Sequence, residues 1–286
     1  MKYQFMADHE GEFGIVRMAR VLGVGRSGYY AWRSRPTCER KQANQALVVQ
    51  FNEEYQISRK TYGSPRIHAA LRRKGIRCGR NRVARLMQLH GLTARKRQKR
   101  HPVTTQRKAG VMPAPNLLNQ NFSALAPNQK WVSDITYIDT AAGWLYLASV
   151  LDLFSRQIVG WAMADRMDAT LVEDAFQMAV CRRDPSAGLM HHSDQGRQYT
   201  SAAYQDSLAD LQCQVSMSRV GNCYDNAVME SFFGTLKAEC ATQQFATQTQ
   251  ARTAIFEYIE AWYNRQRLHS SLGYLSPMEF ERKSGH

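Results

Sequence analysis

The sequence predicts an α/β protein: a mixed sheet flanked by helices, preceded by small all-α modules. Three observations lead there. From Lys130 onward, strand-like and helix-like segments alternate. Before it, only short helical periods occur. A basic, proline-containing stretch separates the two. A chain of 286 residues fits about two domains of roughly 150 residues each.

The charge is uneven along the chain. Residues 1–126 carry 25 Lys and Arg against 6 Asp and Glu, a net +19. Residues 127–286 carry 13 against 18, a net −5. No acidic residue stands between Glu54 and Asp134, while residues 55–133 hold 18 Lys and Arg. An ordinary solvated surface mixes its signs. An acid-free run of this length suits a polyanion, DNA or RNA, with a merely basic, soluble module as the plainer alternative. No run of 18 apolar residues exists, so no transmembrane helix and no membrane partner are expected. MKYQFMADHE at the N-terminus lacks the apolar segment of a signal peptide. The 6 cysteines form no CxxC pair, so neither a zinc knuckle nor a disulfide framework is indicated. Reduced thiols in a cytoplasmic protein are the plain reading.

The first module is read over residues 1–58. In EFGIVRMARVLGVGRSGYYAWRSR, one helix is expected near Ile15–Leu22 and a second near Ser27–Arg33, around a Gly-containing turn. This is compatible with a helix-turn-helix. The second module, over 59–100, repeats the theme in YGSPRIHAALRRKGIRCGRNRVARLMQLHGL. Ser64 is expected to cap a helix with Pro65 at its first position. Ile67, Ala70 and Leu71 make its inward stripe, and GIRCG is the turn. Arg80–His90 is the second helix, with Val83, Leu86 and Met87 inward and Gly91 ending it. Arg66, Arg80, Arg82 and Arg85 are then candidate DNA contacts, as are Arg95, Lys96, Arg97, Lys99 and Arg100 beyond the helix. A helical hairpin with a solvated basic face is the bland alternative. Residues 101–126 are basic and proline-containing, and read as an extended tether ordered only against nucleic acid or a partner.

Residues 127–286 read as the α/β domain. KWVSDITYID is one strand, and GWLYLASVLDLFSRQIVGWAMA is two more, bent at Phe154–Arg156. DATLVEDAFQMAVCRR is an amphipathic helix, followed by the strand GLMHHSD. A helix over Ser201–Leu211 and a strand over Gln214–Met217 lead to the helix in YDNAVMESFFGTLKAEC. Helical residues 249–265 and a loop, LHSSLGYLSPMEF, close the chain.

Three acids stand out in this domain. Asp134 lies inside the first strand, where a charge is costly unless paired or metal-bound. Asp194 follows the fourth strand at its C-terminal end, where α/β sheets usually place ligands. Glu230 flanks a helical face made of Val228, Met229, Phe232, Phe233, Leu236 and Cys240. Three hard oxygen donors suit Mg²⁺ or Mn²⁺. Two such ions roughly 3.5–4 Å apart can activate a water or a 3′-hydroxyl and stabilise the leaving oxygen. Gly234 would clear space for a phosphate backbone, and Lys237, about 10 Å along the helix from Glu230, would touch the next phosphate. Three acids among the chain's 24 also meet a loose spacing by chance. Asp152 fits the chemical description of Asp134 equally well. Asp225 is expected to cap the Glu230 helix. His191 and His192 read as core or supporting residues rather than ligands.

These residues carry a resemblance. Asp134 and Asp194 are separated by 59 residues, and Asp194 and Glu230 by 35. The flanks WVSDITY, HHSDQGRQYTS and YDNAVMESFFGTLKAE, with the tail YNRQRLHSSLGYLSPMEF, resemble the second-reading-frame transposases of the large family founded by insertion sequence three. The YGSPRIHAALRRKGI segment is similar to the helix-turn-helix-like module of those proteins. The resemblance implies an RNase H-like core, with Asp134, Asp194 and Glu230 as catalytic metal ligands for Mg²⁺ or Mn²⁺, two ions per site. Lys237 matches the basic residue found seven positions after the Glu. It further implies a metal-dependent DNA nuclease and strand transferase acting at an element's terminal repeats, in a bacterial cytoplasm. Its partners would be end and target DNA, further copies of the chain, and an upstream-frame product joined by frameshifting. The chain shows neither leucine-zipper heptads nor the His/Cys zinc module of retroviral integrases. A non-catalytic regulator of transposition and an RNase H-like nuclease that never joins ends are the two rival readings.

Overall fold

The computed structural model describes residues 1–35, 38–94, 114–219 and 223–285. It divides into two compact units, Met1–Asn52 and Glu53–His286, with the boundary inside a long helix.

The first unit contains α1 (Lys2–Asp8), α2 (Ile15–Leu22), α3 (Arg26–Ser34) and the start of α4 (Glu39–Ile57). Its core is Met6, Met18, Ala19 and Tyr29, with Tyr3 and Trp32 packed against it. Gly23 ends α2 in the left-handed conformation, at φ 62°. That backbone setting favours glycine, which has no Cβ to clash. Helix α1 has only seven residues, too few to display an apolar period in the sequence.

The second unit opens with the end of α4, then α5 (Ser64–Arg73) and α6 (Arg80–Leu89). Ile67, Ala70, Leu71, Val83, Leu86 and Met87 are buried, as their spacing predicts. Gly63, not Ser64, is the N-cap of α5; Ser64 and Pro65 are its first helical residues, so the expected serine cap does not form. The pair is fastened to the C-terminal tail. The backbone N–H of Leu268 donates to the Tyr62 hydroxyl at 2.7 Å, and Arg66 Nε donates to the Leu268 carbonyl at 3.0 Å. Arg73 donates to the Tyr274 carbonyl and forms an ion pair with Glu279.

Half of the expected tether, residues 101–113, lies outside the described residues. Its last part does not wait for a partner. Leu118 is buried, and the N–H groups of Leu117 and Leu118 donate to Ser216 Oγ at 2.9 and 3.1 Å. An apolar side chain and two satisfied amides are enough to hold this strip on its own core.

The sheet follows: β1 (Lys130–Thr140), β2 (Gly143–Asp152), β3 (Ile158–Ala164), β4 (Met190–Ser193) and β5 (Gln214–Met217). Its order is β3-β2-β1-β4-β5. The first three strands are antiparallel, while β4 and β5 run parallel to β1. Between β3 and β4 runs α7 (Ala169–Arg183), capped by the Asp168 side chain, and between β4 and β5 runs α8 (Ala202–Asp210). Trp131, Val150, Val159, Phe176 and Tyr204 belong to the core that these helices form with the sheet. Gly160 lets α7 approach: a Cβ there would lie 2.1 Å from the Ala175 carbonyl oxygen.

A 3-10 turn, Cys223–Asn226, leads into α9 (Ala227–Glu239), and α10 (Gln248–Glu257) continues as a π-helical turn, Tyr258–Tyr263. Both α9 and α10 pack against β1. Glu239, at the end of α9, is buried against Arg267 at 2.8 Å and also accepts from the Tyr258 hydroxyl at 3.0 Å. The closing segment is not all loop, as expected, but includes α11 (Pro277–Lys283). Ser276 and Glu279 form a reciprocal capping box around Pro277, which nucleates this short helix.

Candidate active site

Strand register brings the two aspartates together. Lys130, Trp131 and Val132 pair with Met190, His191 and His192, a constant offset of 60 residues. The ladder stops at Val132 and His192, and Asp134, two residues along β1, and Asp194, just past the end of β4, both lie beyond it at the same end of the two strands. Each aspartate is oriented by a backbone amide. The N–H of Ile135 donates to Asp134 Oδ1 and that of Gly196 to Asp194 Oδ1, both at 2.8 Å. A Cβ on Gly196 would sit 2.9 Å from Asp194 Oδ1, so only glycine lets this amide come so close without a shift.

Helix α9 delivers the third acid. Its N-terminus is tied beside Asp134, because Asn226 Nδ2 donates to the Ser133 carbonyl at 3.3 Å. Glu230 stands in the first turn of α9, exposed, while Met229, Phe232, Phe233 and Leu236 are buried. The Asp134 carboxyl is held well above the usual carboxylate range. Burial is the main cause, followed by the charge of Asp194; that of Glu230 adds to it, while the Ile135 amide and Lys237 oppose it. Like charges have been gathered at one end of the sheet. Among the described residues no three His, Cys, Asp or Glu side chains are closed tightly enough to hold a metal ion.

Comparison with known proteins follows this geometry. The integrase core domain family matches residues 124–223, a second integrase core domain family matches 211–277, and an HTH-like domain family matches 42–100. The transposase InsF of insertion sequence IS3A from Escherichia coli K12 is 45% identical over 287 residues, covering 99% of both chains. The chain belongs to the IS3-family transposases. The 31 kDa protein of insertion element IS600 from Shigella sonnei is also 45% identical, over 93% of this transposase and 98% of that protein. Among solved structures, the magnesium-bound catalytic core of HTLV-2 integrase aligns with 56% of this chain and 99% of its own, at 16% identity and TM-score 0.43.

The transposase sorts its other candidates clearly. Arg80 and Arg85 are exposed on α6, with Arg82 half-buried beside them. Arg66 points elsewhere: it is half-buried, bonded to Leu268, with its guanidinium 5.8 Å from the Tyr62 ring centre. Arg95, Lys96, Arg97, Lys99 and Arg100 lie outside the described residues. Lys237 Nζ lies 4.4 Å from the centre of the Tyr137 ring. Gly234 is buried, so it serves close packing in α9 rather than clearing an open edge.

Two acids prove structural. Asp152 is fully buried at the far end of β2 and accepts from the N–H groups of Asn128 and Phe154 at 2.6 and 2.7 Å. Asp225 does not cap α9, whose N-cap is Asn226. It is instead a hub that accepts from Asn116, Gln120 and Arg219. Its pKa is lowered to about 2, chiefly by the Arg219 side chain.

The two histidines are buried, as expected, and bond to serine and tyrosine hydroxyls of the core. His191 Nε2 meets Ser133 Oγ at 2.8 Å and the Tyr204 hydroxyl at 3.0 Å. His192 bridges Ser216 and Ser218 at 2.9 and 3.1 Å. Burial lowers their pKa values to about 3 and about 4. Both stay neutral in the fold where an unfolded chain, with His near 6.5, already binds protons. Stability is therefore full above about pH 6.5 and falls with pH toward 4, by about 1.4 kcal/mol per unit for each histidine. Thermal melts across that range should show this slope, and His191→Phe should make it shallower.

Sequence reasoning passed over Gly196, Tyr137 and Tyr199. The Tyr199 hydroxyl is buried without a hydrogen-bond partner among the described residues, and its pKa is raised well above normal by burial, then by Asp134. A tyrosine five residues after Asp194 carried no separate signal in the sequence.

Proposed function

We propose that Asp134, Asp194 and Glu230 form the catalytic centre of this transposase, which cuts the terminal inverted repeats of its element and joins the freed 3′-hydroxyls to target DNA. The placement of Asp134 and Asp194 beyond the same end of the β1–β4 ladder, with the charges of Asp194 and Glu230 both bearing on Asp134, supports this reading most strongly. The donor set fits Mg²⁺ or Mn²⁺, two per site: three hard carboxylates, with one oxygen of each aspartate oriented by a backbone amide. A divalent ion would relieve the repulsion that raises Asp134. Such ions, when bound, supply an activated water or 3′-hydroxyl and a stabilised leaving oxygen.

The chain's own residues do the rest. The amides of Ile135 and Gly196 fix the two aspartates in place. Glu230, the exposed member, completes the donor set from α9. Lys237 grips a phosphate next to the cut. The two rival readings are separated by one assay. Supercoiled and pre-cleaved DNA copied from the element's ends should be cut, and joined to a target plasmid, with Mg²⁺ or Mn²⁺. Binding without cutting under any condition, with the upstream-frame fusion included, would leave a regulator; cutting without joining would leave a nuclease.

Organisation follows the same reading. Residues 1–58 and 59–100 are DNA-contacting helical modules, 101–126 a linker and 127–286 the catalytic core. Arg80, Arg82 and Arg85 neutralise phosphates, and Arg95, Lys96, Arg97, Lys99 and Arg100 are further candidate DNA contacts. Replacing Arg80, Arg82 and Arg85 together by Ala should flatten the salt dependence of DNA binding by about 3 in log–log slope. Titration of end DNA at several salt concentrations measures it. The enzyme acts as a homo-oligomer on DNA in the bacterial cytoplasm, joined to its upstream-frame product by frameshifting. Among the described residues no helix is long and apolar enough to cross a membrane.

A further inference from the structure

The catalytic strand carries an aromatic residue with no assigned part in the chemistry. Tyr137 lies three residues beyond Asp134 on β1. The parallel ladder with β4 ends at Val132; beyond it β1 pairs with β2 and, at Thr140, bridges to Phe245. Lys237 comes from α9 and places its ammonium 4.4 Å from the Tyr137 ring centre. Tyr137 is itself held from behind, edge-on to Trp144 at 5.0 Å. Lysine has four side-chain torsions and loses much entropy when confined. An aromatic face under the ammonium confines it by attraction to the ring quadrupole.

We propose that Tyr137 is a positioning residue for Lys237: its ring, backed by Trp144, holds the ammonium at a set place beside the catalytic acids, ready for a DNA phosphate. The inference rests on the phosphate role given to Lys237 above. Strand β1 thus carries both Asp134 and, three residues along on the opposite face of the pleat, the seat of the lysine. The seat is the aromatic ring, the group that faces the ammonium.

The test uses the full chain and duplexes copied from the two DNA ends flanking its reading frame. Binding is titrated over a range of salt for the native protein, Lys237→Ala, Tyr137→Leu, Tyr137→Phe and the Lys237→Ala/Tyr137→Leu double variant. Lys237→Ala should lower the log–log salt slope by about 1, the loss of one phosphate contact. Tyr137→Leu should reproduce most of that loss and weaken binding about two- to five-fold. The double variant should be no weaker than Lys237→Ala, and Tyr137→Phe should behave as native. Tyr137→Thr replaces Leu if the latter fails to fold. A native slope for Tyr137→Leu beside a reduced one for Lys237→Ala overturns the positioning role alone. A native slope for Lys237→Ala overturns the phosphate role and the positioning with it. Additive losses in the double variant also overturn the proposal, since two independent contacts would add.

Discussion

Replacing Glu230 by Gln abolishes cutting and joining of element-end DNA, while the folded protein and its DNA binding remain. The side chain is exposed in the first turn of α9, so the amide is accommodated without disturbing the buried face of Met229, Phe232, Phe233 and Leu236. What disappears is one hard anionic donor. Loss of metal-based charge stabilisation amounts to several kcal/mol in the transition state, which is about 10³-fold or more in rate. The same charge contributes to holding Asp134 high, so Glu230→Gln should also lower the Asp134 pKa in the metal-free protein. Single-turnover cleavage with Mg²⁺ reads the first effect, and carboxyl titration by NMR reads the second. Cutting at the native rate by a folded Glu230→Gln protein would sink the triad.

Glu239→Gln costs the fold about 3–5 kcal/mol, the usual price of leaving one member of a buried ion pair alone. Glu239 and Arg267 are each under a tenth exposed and share hydrogen bonds at 2.8–3.1 Å. Glu239 also accepts from Tyr258 at 3.0 Å and from Trp262 at 3.4 Å, both on the π-helical turn. One carboxylate therefore ties the end of the Glu230 helix to the tail. Denaturant unfolding should show the loss directly. Arg267→Met, which leaves the carboxylate buried without its cation, should be at least as damaging, whereas the paired Glu239→Leu/Arg267→Met variant should recover part of the stability. No recovery would assign the cost to lost packing rather than to a stranded charge.

The sequence announced the carboxylates because each interrupts an apolar pattern: Asp134 within a strand, Glu230 on a helix edge. It could not separate Asp134 from Asp152, since both are acids in strands. Register decides that, and register is a property of pairing rather than of either strand. The long elements were equally readable from their periods. The short helices α1 and α11 were not, although the Ser276–Glu279 box was a usable signal for α11. Arg66 and Asp225 show the other limit. A side chain's charge is visible in sequence, but whether it faces a ligand or its own protein is settled by segments two hundred or one hundred residues away, Leu268 for Arg66 and Asn116 for Asp225.

The anchoring of α5 to the tail has a mechanical corollary. Tyr62, Arg66 and Arg73 clamp the helix pair onto the stretch from Leu268 to Glu279. Under the proposed function, a duplex gripped by the helix pair would be offered to the carboxylates at a fixed reach, as a jig holds a workpiece to a blade. The spacing between a recognised sequence and the cut is then a dimension of the folded unit, and little ordering entropy is left to be lost when the DNA arrives.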